Sequence, residues 1–325
     1  MKFNSTKLLL VNVMVIGVTM TICSNNWISM WLGLEISLLS FIPLMQNNKL
    51  ISSESMIKYF IMQSIASTVF LISVVILLIG VNMNNEMMMT IAMLMKIGLA
   101  PFHNWILLVI ESLEYYTVFM MLTIMKLPPM TILYYQSNMN LLNIPILLSM
   151  VLSAVMCLNQ SSIKKILGFS SIFNMSLVLI LINEYNFMLM FLFIYSITLM
   201  LFIQFINPLK INYINQMKVN EFNSMVKFNL WFNTLSMGGF PPLIGFMGKL
   251  MVIQVLIQNN LILLLTIMIL TSMLVMVFYM RMVFSMLLTN FTSQKWSMMK
   301  SNTNYFNMSL NLLVSPIFMT MFPLT

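Results

Sequence analysis

The chain of 325 residues has no aspartate, a single arginine, a single histidine and two cysteines. Each shortage closes off a class of function. Cys23 and Cys157 are distant and unaccompanied, and two lone thiols cannot hold a zinc ion or an iron–sulfur cluster. They are expected to be packing residues. The sequence has no glycine-rich dinucleotide fingerprint, no phosphate loop and no His/Cys cluster, so electron transfer within the chain is not expected. Only 7% of residues are charged, against about 25% in a soluble domain, which leaves no room for a sizeable water-facing domain. The net charge is +8, but no basic stripe interleaves with aromatics, so nucleic acid is not an expected partner.

What is abundant is apolar: 60% of residues are hydrophobic, and 40 are methionine. Methionine is a tolerant filler of apolar surface. A membrane-spanning helix needs about 20 apolar residues, and nearly the whole chain divides into such runs. Eleven spans are predicted, at 4–23, 27–45, 56–81, 87–112, 116–136, 141–159, 163–183, 186–208, 223–257, 260–288 and 304–324. The first, flanked by Lys2 and Lys7, lacks a small-residue cleavage site and reads as a span rather than a signal. Asn-rich turns separate the runs, and most are short enough to force antiparallel neighbours.

Charge sets the expected orientation. With eleven spans, the N-terminal face holds 11 lysines and 4 glutamates, while the other holds only Glu86 and Glu184. Basic loops stay on the cytosol-equivalent side, so the N-terminus is expected there and the C-terminus opposite.

Two spans are interrupted in a matching way. The fourth contains Lys96-Ile97-Gly98-Leu99-Ala100-Pro101-Phe102-His103, and the ninth contains Gly238-Gly239-Phe240-Pro241-Pro242. They lie five spans apart. The expected fold class is an all-α polytopic membrane protein with two inverted five-helix repeats, 1–136 and 141–289, followed by a loop and helix at 290–325. Interrupted helices at matching positions of inverted repeats mark many transporters.

Four charges, Glu35, Lys96, Lys126 and Lys249, fall inside spans. A charge at a helix centre costs about 2.5–3.5 kcal/mol on insertion scales. Such a group faces the bundle interior or water, or gives up its charge, and groups balanced in this way suit a proton relay. Pro101 withholds a donor from the Ile97 carbonyl beside Lys96, and Pro128 and Pro129 do the same beside Lys126. His103 follows Lys96 by seven residues, about 10 Å along a continuous helix. The competing reading is structural: Lys96 pairs with Glu35 to lock two helices, and His103 is a satisfied core residue. Arg281, near a span end, is expected to snorkel. Glu54 and Lys58, four apart, read as a surface pair.

These residues sit in runs that resemble the chain 2 family of mitochondrial NADH:ubiquinone oxidoreductase, the respiratory complex I. The runs are Gly33-Leu34-Glu35-Ile36 with Ser40 to Pro43, Glu54-Ser55 with Lys58-Tyr59-Phe60 and Gln63, and Lys96 to His103 with Trp105. Asn159-Gln160 with Lys164-Lys165, Ser170-Ser171-Ile172, and Gly238 to Lys249 follow in family order. Chain length is similar to chain 2 rather than to the longer chains 4 and 5. The Met, Asn and Ile bias is similar to that of insect or other arthropod mitochondrial proteins.

The resemblance implies an antiporter-like subunit of the membrane arm in the mitochondrial inner membrane, with the N-terminus in the matrix and the C-terminus in the intermembrane space. It implies proton translocation driven by electron transfer from NADH to ubiquinone in other subunits. This chain would hold no cofactor; FMN, iron–sulfur clusters and ubiquinone would belong elsewhere in the complex. Implied partners are chains 4L, 4, 3 and 6, accessory subunits, and lipids such as cardiolipin. Glu35 would be the interface carboxylate, Lys96 its partner, Lys126 the connecting lysine and Lys249 the lysine of the second half, with His103 in the relay. Asn174 stands where vertebrate relatives often have His, and Ser176 where they have Gly, so a titratable group of the second half is missing. Asn104, Gly248 and Leu250 also depart from the pattern. A free-standing cation/proton antiporter component and a structural scaffold remain as alternatives.

Overall fold

The computed structural model describes residues 5–47, 50–80, 85–136, 139–219, 224–241 and 243–287. The eleventh span, 304–324, the C-terminal segment from 288, Lys2, Lys49, Glu221, Pro242, Lys295 and Lys300 lie outside the described residues. Within them every named element is helical. The helices are α1 Ser5–Cys23, α2 Trp27–Leu44, α3 Leu50–Ile79, α4 Asn85–Ile97, α5 Asn104–Ser112, α6 Tyr115–Leu122, α7 Leu127–Gln136 and α8 Met139–Leu158. They continue with α9 Ile163–Ile180, α10 Tyr185–Leu209, α11 Ile214–Val219, α12 Ser224–Gly238, α13 Ile244–Gln258 and α14 Ile262–Leu287.

Among the described residues, eight helical stretches are long and apolar enough to cross a membrane. The predicted fourth and ninth spans are not among them because each is two shorter helices, α4 with α5 and α12 with α13. The third helix starts at Leu50, six residues before the predicted limit, so Glu54 and Lys58 share a helical turn. They form an ion pair of 2.5 Å with both side chains well exposed, as expected of a surface pair.

Contacts divide the chain into two compact units, Met1–Ser149 and Met150–Thr325. The division falls inside α8. In the first unit α1 buries Met14, Gly17, Val18 and Thr21, an i, i+3, i+4, i+7 stripe. That stripe meets α2 at very short range. A Cβ on Gly17 would stand 2.8 Å from the Ser37 amide nitrogen, and one on Gly33 would stand 2.8 Å from the Gly17 carbonyl oxygen. Lipid gives apolar faces no reason to avoid it, so close backbone packing by small residues has to supply helix association. In the second unit α9 is buried on nearly every side, α10 packs on α12 and α13, and α12 packs on α14.

Both interrupted helices stop in the same way. α4 ends at Gly98 with φ +74°, and α12 ends at Gly239 with φ +69°. In each, the amide one residue beyond that glycine reaches back five residues: Leu99 N–H to the Leu94 carbonyl at 3.2 Å, Phe240 N–H to the Leu235 carbonyl at 3.1 Å. Left-handed glycine caps of this type end a helix while satisfying its terminal carbonyls. The interruptions are thus built stops. The Ala100–Pro101 bond that follows the first is cis.

The predicted fifth span is also broken. α6 gives way to a 3-10 turn, Ile124–Lys126, and α7 begins at Leu127. Pro128 and Pro129 sit in the first turn of α7, where proline's missing N–H has no intrahelical partner to lose. The prolines start a helix here; they do not kink one.

One expectation from the sequence needs correction and another is extended. Cys157 is buried but Cys23 is exposed, because it is the last residue of α1 and faces out before the turn. Arg281 does more than snorkel: its guanidinium donates to the Leu158 carbonyl at 2.8 Å, satisfying an unpaired carbonyl at the end of α8.

Candidate functional site

Lys96 and Lys126 are brought to one place in the first unit. Lys96 is in the last turn of α4, just before the Gly98 stop, and is 7% exposed. Lys126 closes the 3-10 turn and is 4% exposed. Both line one cavity of about 20 Å³, enough for a water molecule, which needs roughly 10–15 Å³ and polar partners. Those partners are present: Ser37, Tyr59, Gln63 and Trp105 share the lining with the two lysines.

The lining is held from the sides. Gln63 donates its amide N–H to the Lys96 carbonyl at 3.2 Å, and Trp105 donates its indole N–H to the Met95 carbonyl at 3.2 Å. These two side chains take up carbonyls near the end of α4. Tyr59 is wedged edge-on between Phe41 and Trp105, with ring centroids 5.3 and 5.9 Å away. The Lys126 ammonium has no hydrogen-bond partner. An ammonium buried without a partner is costly unless it is hydrated or deprotonated.

Glu35, on α2, is half-buried. It is near enough for its charge to act on Lys96, but the two make no contact ion pair within 4.0 Å. The helix-locking pair considered from the sequence is therefore not formed, and the coupling between them is through the field. His103 precedes α5 as its N-cap residue. It is absent from the cavity lining, and its buried Nδ1 has no partner. The turn at Leu99–Phe102 separates it from the axis of α4, so the two-turn spacing to Lys96 does not put both on one helical face.

Lys249, on α13 in the second unit, is 7% exposed. Its ammonium donates to the Gly238 carbonyl, the end of α12, at 2.6 Å. Its stem lies across Gly239, where a Cβ would meet Lys249 Cε at 2.6 Å. A cation at a helix C-terminus is stabilised by the unpaired carbonyls and the dipole. Gly245 allows the approach of α13 to α12: a Cβ there would lie 1.8 Å from the Ser236 carbonyl oxygen. Gly248, a departure noted from the sequence, has its space filled by the Phe191 ring, 2.8 Å from a would-be Cβ.

Sequence reading missed several buried polar groups. Tyr59 and Gln63 entered the sequence reading only within the runs that resemble the family, and Ser37 only as a polar position in an apolar run. Asn229 and Asn233, on α12, are 4% and 1% exposed, and an asparagine inside a predicted span was the available signal. Among the described residues no group of three or more His, Cys or Glu side chains is placed to hold a metal ion.

A many-helix membrane protein with stopped helices at membrane depth, and buried ammonium groups beside those stops, has the architecture of a transporter subunit. Residues 24–275 match the family described as NADH:quinone oxidoreductase/Mrp antiporter, transmembrane, and the chain belongs to that family. It is 35% identical over 311 residues to NADH-ubiquinone oxidoreductase chain 2 of Anopheles gambiae, covering 92% of this chain and 91% of the relative. The same-named chain of Locusta migratoria is 35% identical, with 90% and 89% covered. Among solved structures, a chain of respiratory complex I from Thermus thermophilus aligns with a TM-score of 0.78 at 19% identity, covering 98% of this chain and 78% of that one. A chain of the Mrp complex from Dietzia aligns with a TM-score of 0.73 at 14% identity, covering 90% and 62%. The structural likenesses establish a shared fold.

Proposed function

We propose that this chain is a membrane-arm subunit of respiratory complex I that carries protons across the mitochondrial inner membrane. The observation that carries the proposal is one cavity lined by both Lys96 and Lys126. The near-full-length likeness to chain 2 proteins supplies the assembly in which redox energy would reach it.

In the mechanism, a change of field at Glu35 alters the proton affinity of Lys96, a water in the cavity connects Lys96 to Lys126, and the proton leaves along Lys126. Two charges 4–6 Å apart at an effective ε of 20 interact by roughly 3–4 kcal/mol, ample to switch occupancy. Lys126 is tied to no protein carbonyl, so its ammonium can give a proton to water, and the neutral amine can take one back, without first breaking such a bond. His103 is a second-rank member of the relay. Lys249 would serve the second half, and Gly238 would have to release it first. The full architecture on this reading is eleven spans in two inverted five-helix repeats, 1–136 and 141–289, and a segment 290–325. The basic face is the matrix side. Redox cofactors and ubiquinone sit in other subunits, with chains 4L, 4, 3 and 6 as neighbours and cardiolipin among the lipids.

The test is Glu35→Gln in the intact complex. Turnover and protons moved per electron should both fall. Unchanged stoichiometry and rate would sink the mechanism. The fold shared with the Mrp complex makes a cation/proton antiporter component the alternative. Co-purification with redox subunits decides between them.

A further inference from the structure

The second unit contains a buried hydroxyl cluster beside the Lys249 break. Tyr279, on α14, is 1% exposed and Tyr195, on α10, is 4% exposed. Neither phenol oxygen has a hydrogen-bond partner. Ser170 and Ser171, on α9, are buried too. They donate to the Leu167 and Gly168 carbonyls at 3.0 and 2.7 Å, so their oxygens remain able to accept. Tyr279 approaches Ser170, Tyr195 approaches Ser171, and the two tyrosines lie within electrostatic range of each other.

The cluster adjoins the residue that holds the lysine. A Cβ on Gly238 would stand 3.5 Å from Tyr279 Cβ and Cδ2, so the Tyr279 ring lies against the residue whose carbonyl accepts from Lys249. Four helices therefore converge on it: α9, α10, α12 and α14. Phenylalanine would fill the same apolar space as either tyrosine without a polar atom to satisfy. Buried hydroxyls are nearly always hydrogen-bonded, by protein or by internal water, and polar sites between helices are where internal water collects.

We propose that Tyr195, Tyr279, Ser170 and Ser171 bind internal water and form a hydroxyl relay that passes protons to and from Lys249, in a half of the chain where Asn174 offers no proton. The inference rests on the proton-translocation reading above. The chemistry balances without a cofactor. Each hydroxyl or water accepts a proton on an oxygen lone pair and releases its own to the next, so no group stays charged and none is consumed.

The test uses the intact complex in proteoliposomes. Tyr195→Phe/Tyr279→Phe should lower protons moved per NADH oxidised severalfold, with each single variant between it and the wild type. An unchanged double variant, in a complex where Glu35→Gln does lower translocation, overturns the relay and leaves the parent reading standing. If neither variant changes translocation, the parent reading falls and the relay with it. If the double variant does not assemble, radiolytic water labelling of the wild-type complex decides. Tyr195 and Tyr279 should be oxidised well above buried Phe202, which is 0% exposed. Labelling no higher than at Phe202 overturns the relay.

Discussion

Lys126 and Lys249 are the same residue type at nearly the same depth, 4% and 7% exposed, yet they are held in opposite ways. The Lys126 ammonium lacks a hydrogen-bond partner beside a water-sized cavity. The Lys249 ammonium is tied to the terminal carbonyl of a stopped helix. The difference comes from the backbone. A 3-10 turn followed by two prolines leaves Lys126 facing a hole, whereas a left-handed glycine at 239 clears the path by which Lys249 reaches the end of α12. A buried charge is thus ambiguous until its surroundings are known. On the proposed mechanism the one in the first unit exchanges a proton, and the one in the second is also a helix cap.

The contrast can be broken by substitution. Gly245→Ala should have the largest effect, since its Cβ would lie 1.8 Å from a backbone oxygen that cannot step aside. The expected cost is about 3 kcal/mol or more, read as loss of assembled complex on native gels. Lys126→Met should leave assembly intact and lower proton translocation by about 10²-fold, the scale of a lost proton-transfer group. Normal pumping by that variant would remove Lys126 from the relay. Lys249→Met should behave differently. It leaves the Gly238 carbonyl without its donor, at about 1–3 kcal/mol, so thermal stability of the assembled complex should drop along with pumping. If Lys126→Met destabilised the complex as much as Lys249→Met, the distinction drawn between the two lysines would be wrong. Lys58→Ala, which removes an exposed i,i+4 pair, should change stability by no more than about 0.5 kcal/mol.

Much of the fold was legible in the sequence because lipid imposes a simple rule: every backbone polar group must be satisfied within the helix. Long apolar runs therefore announce helices, and Asn-rich turns announce their ends. The two Gly/Pro stops were visible for the same reason, since those residues cannot continue a helix without compensation. The partnering of the charges was not visible. Whether Glu35 and Lys96 form a contact pair or act on each other through the field was open in the sequence, and the structure shows no ion pair between them. His103 read as a companion of Lys96, but the turn after Gly98 takes it out of the cavity. Arg281 read as a snorkelling side chain, and its bond to the end of α8 was not visible.

Composition and order alone determined that the chain is a bundle of membrane helices, where glycine and proline interrupt two of them, and which four charges need an explanation. Those properties depend on one residue and its near neighbours, through the cost of placing polar groups in hydrocarbon. Only the tertiary structure decided that Lys96 and Lys126 share one cavity, that Lys249 caps a helix, and that two tyrosines are buried with unpaired hydroxyls. Each of these depends on side chains from helices far apart in the sequence, and a cavity has no sequence of its own.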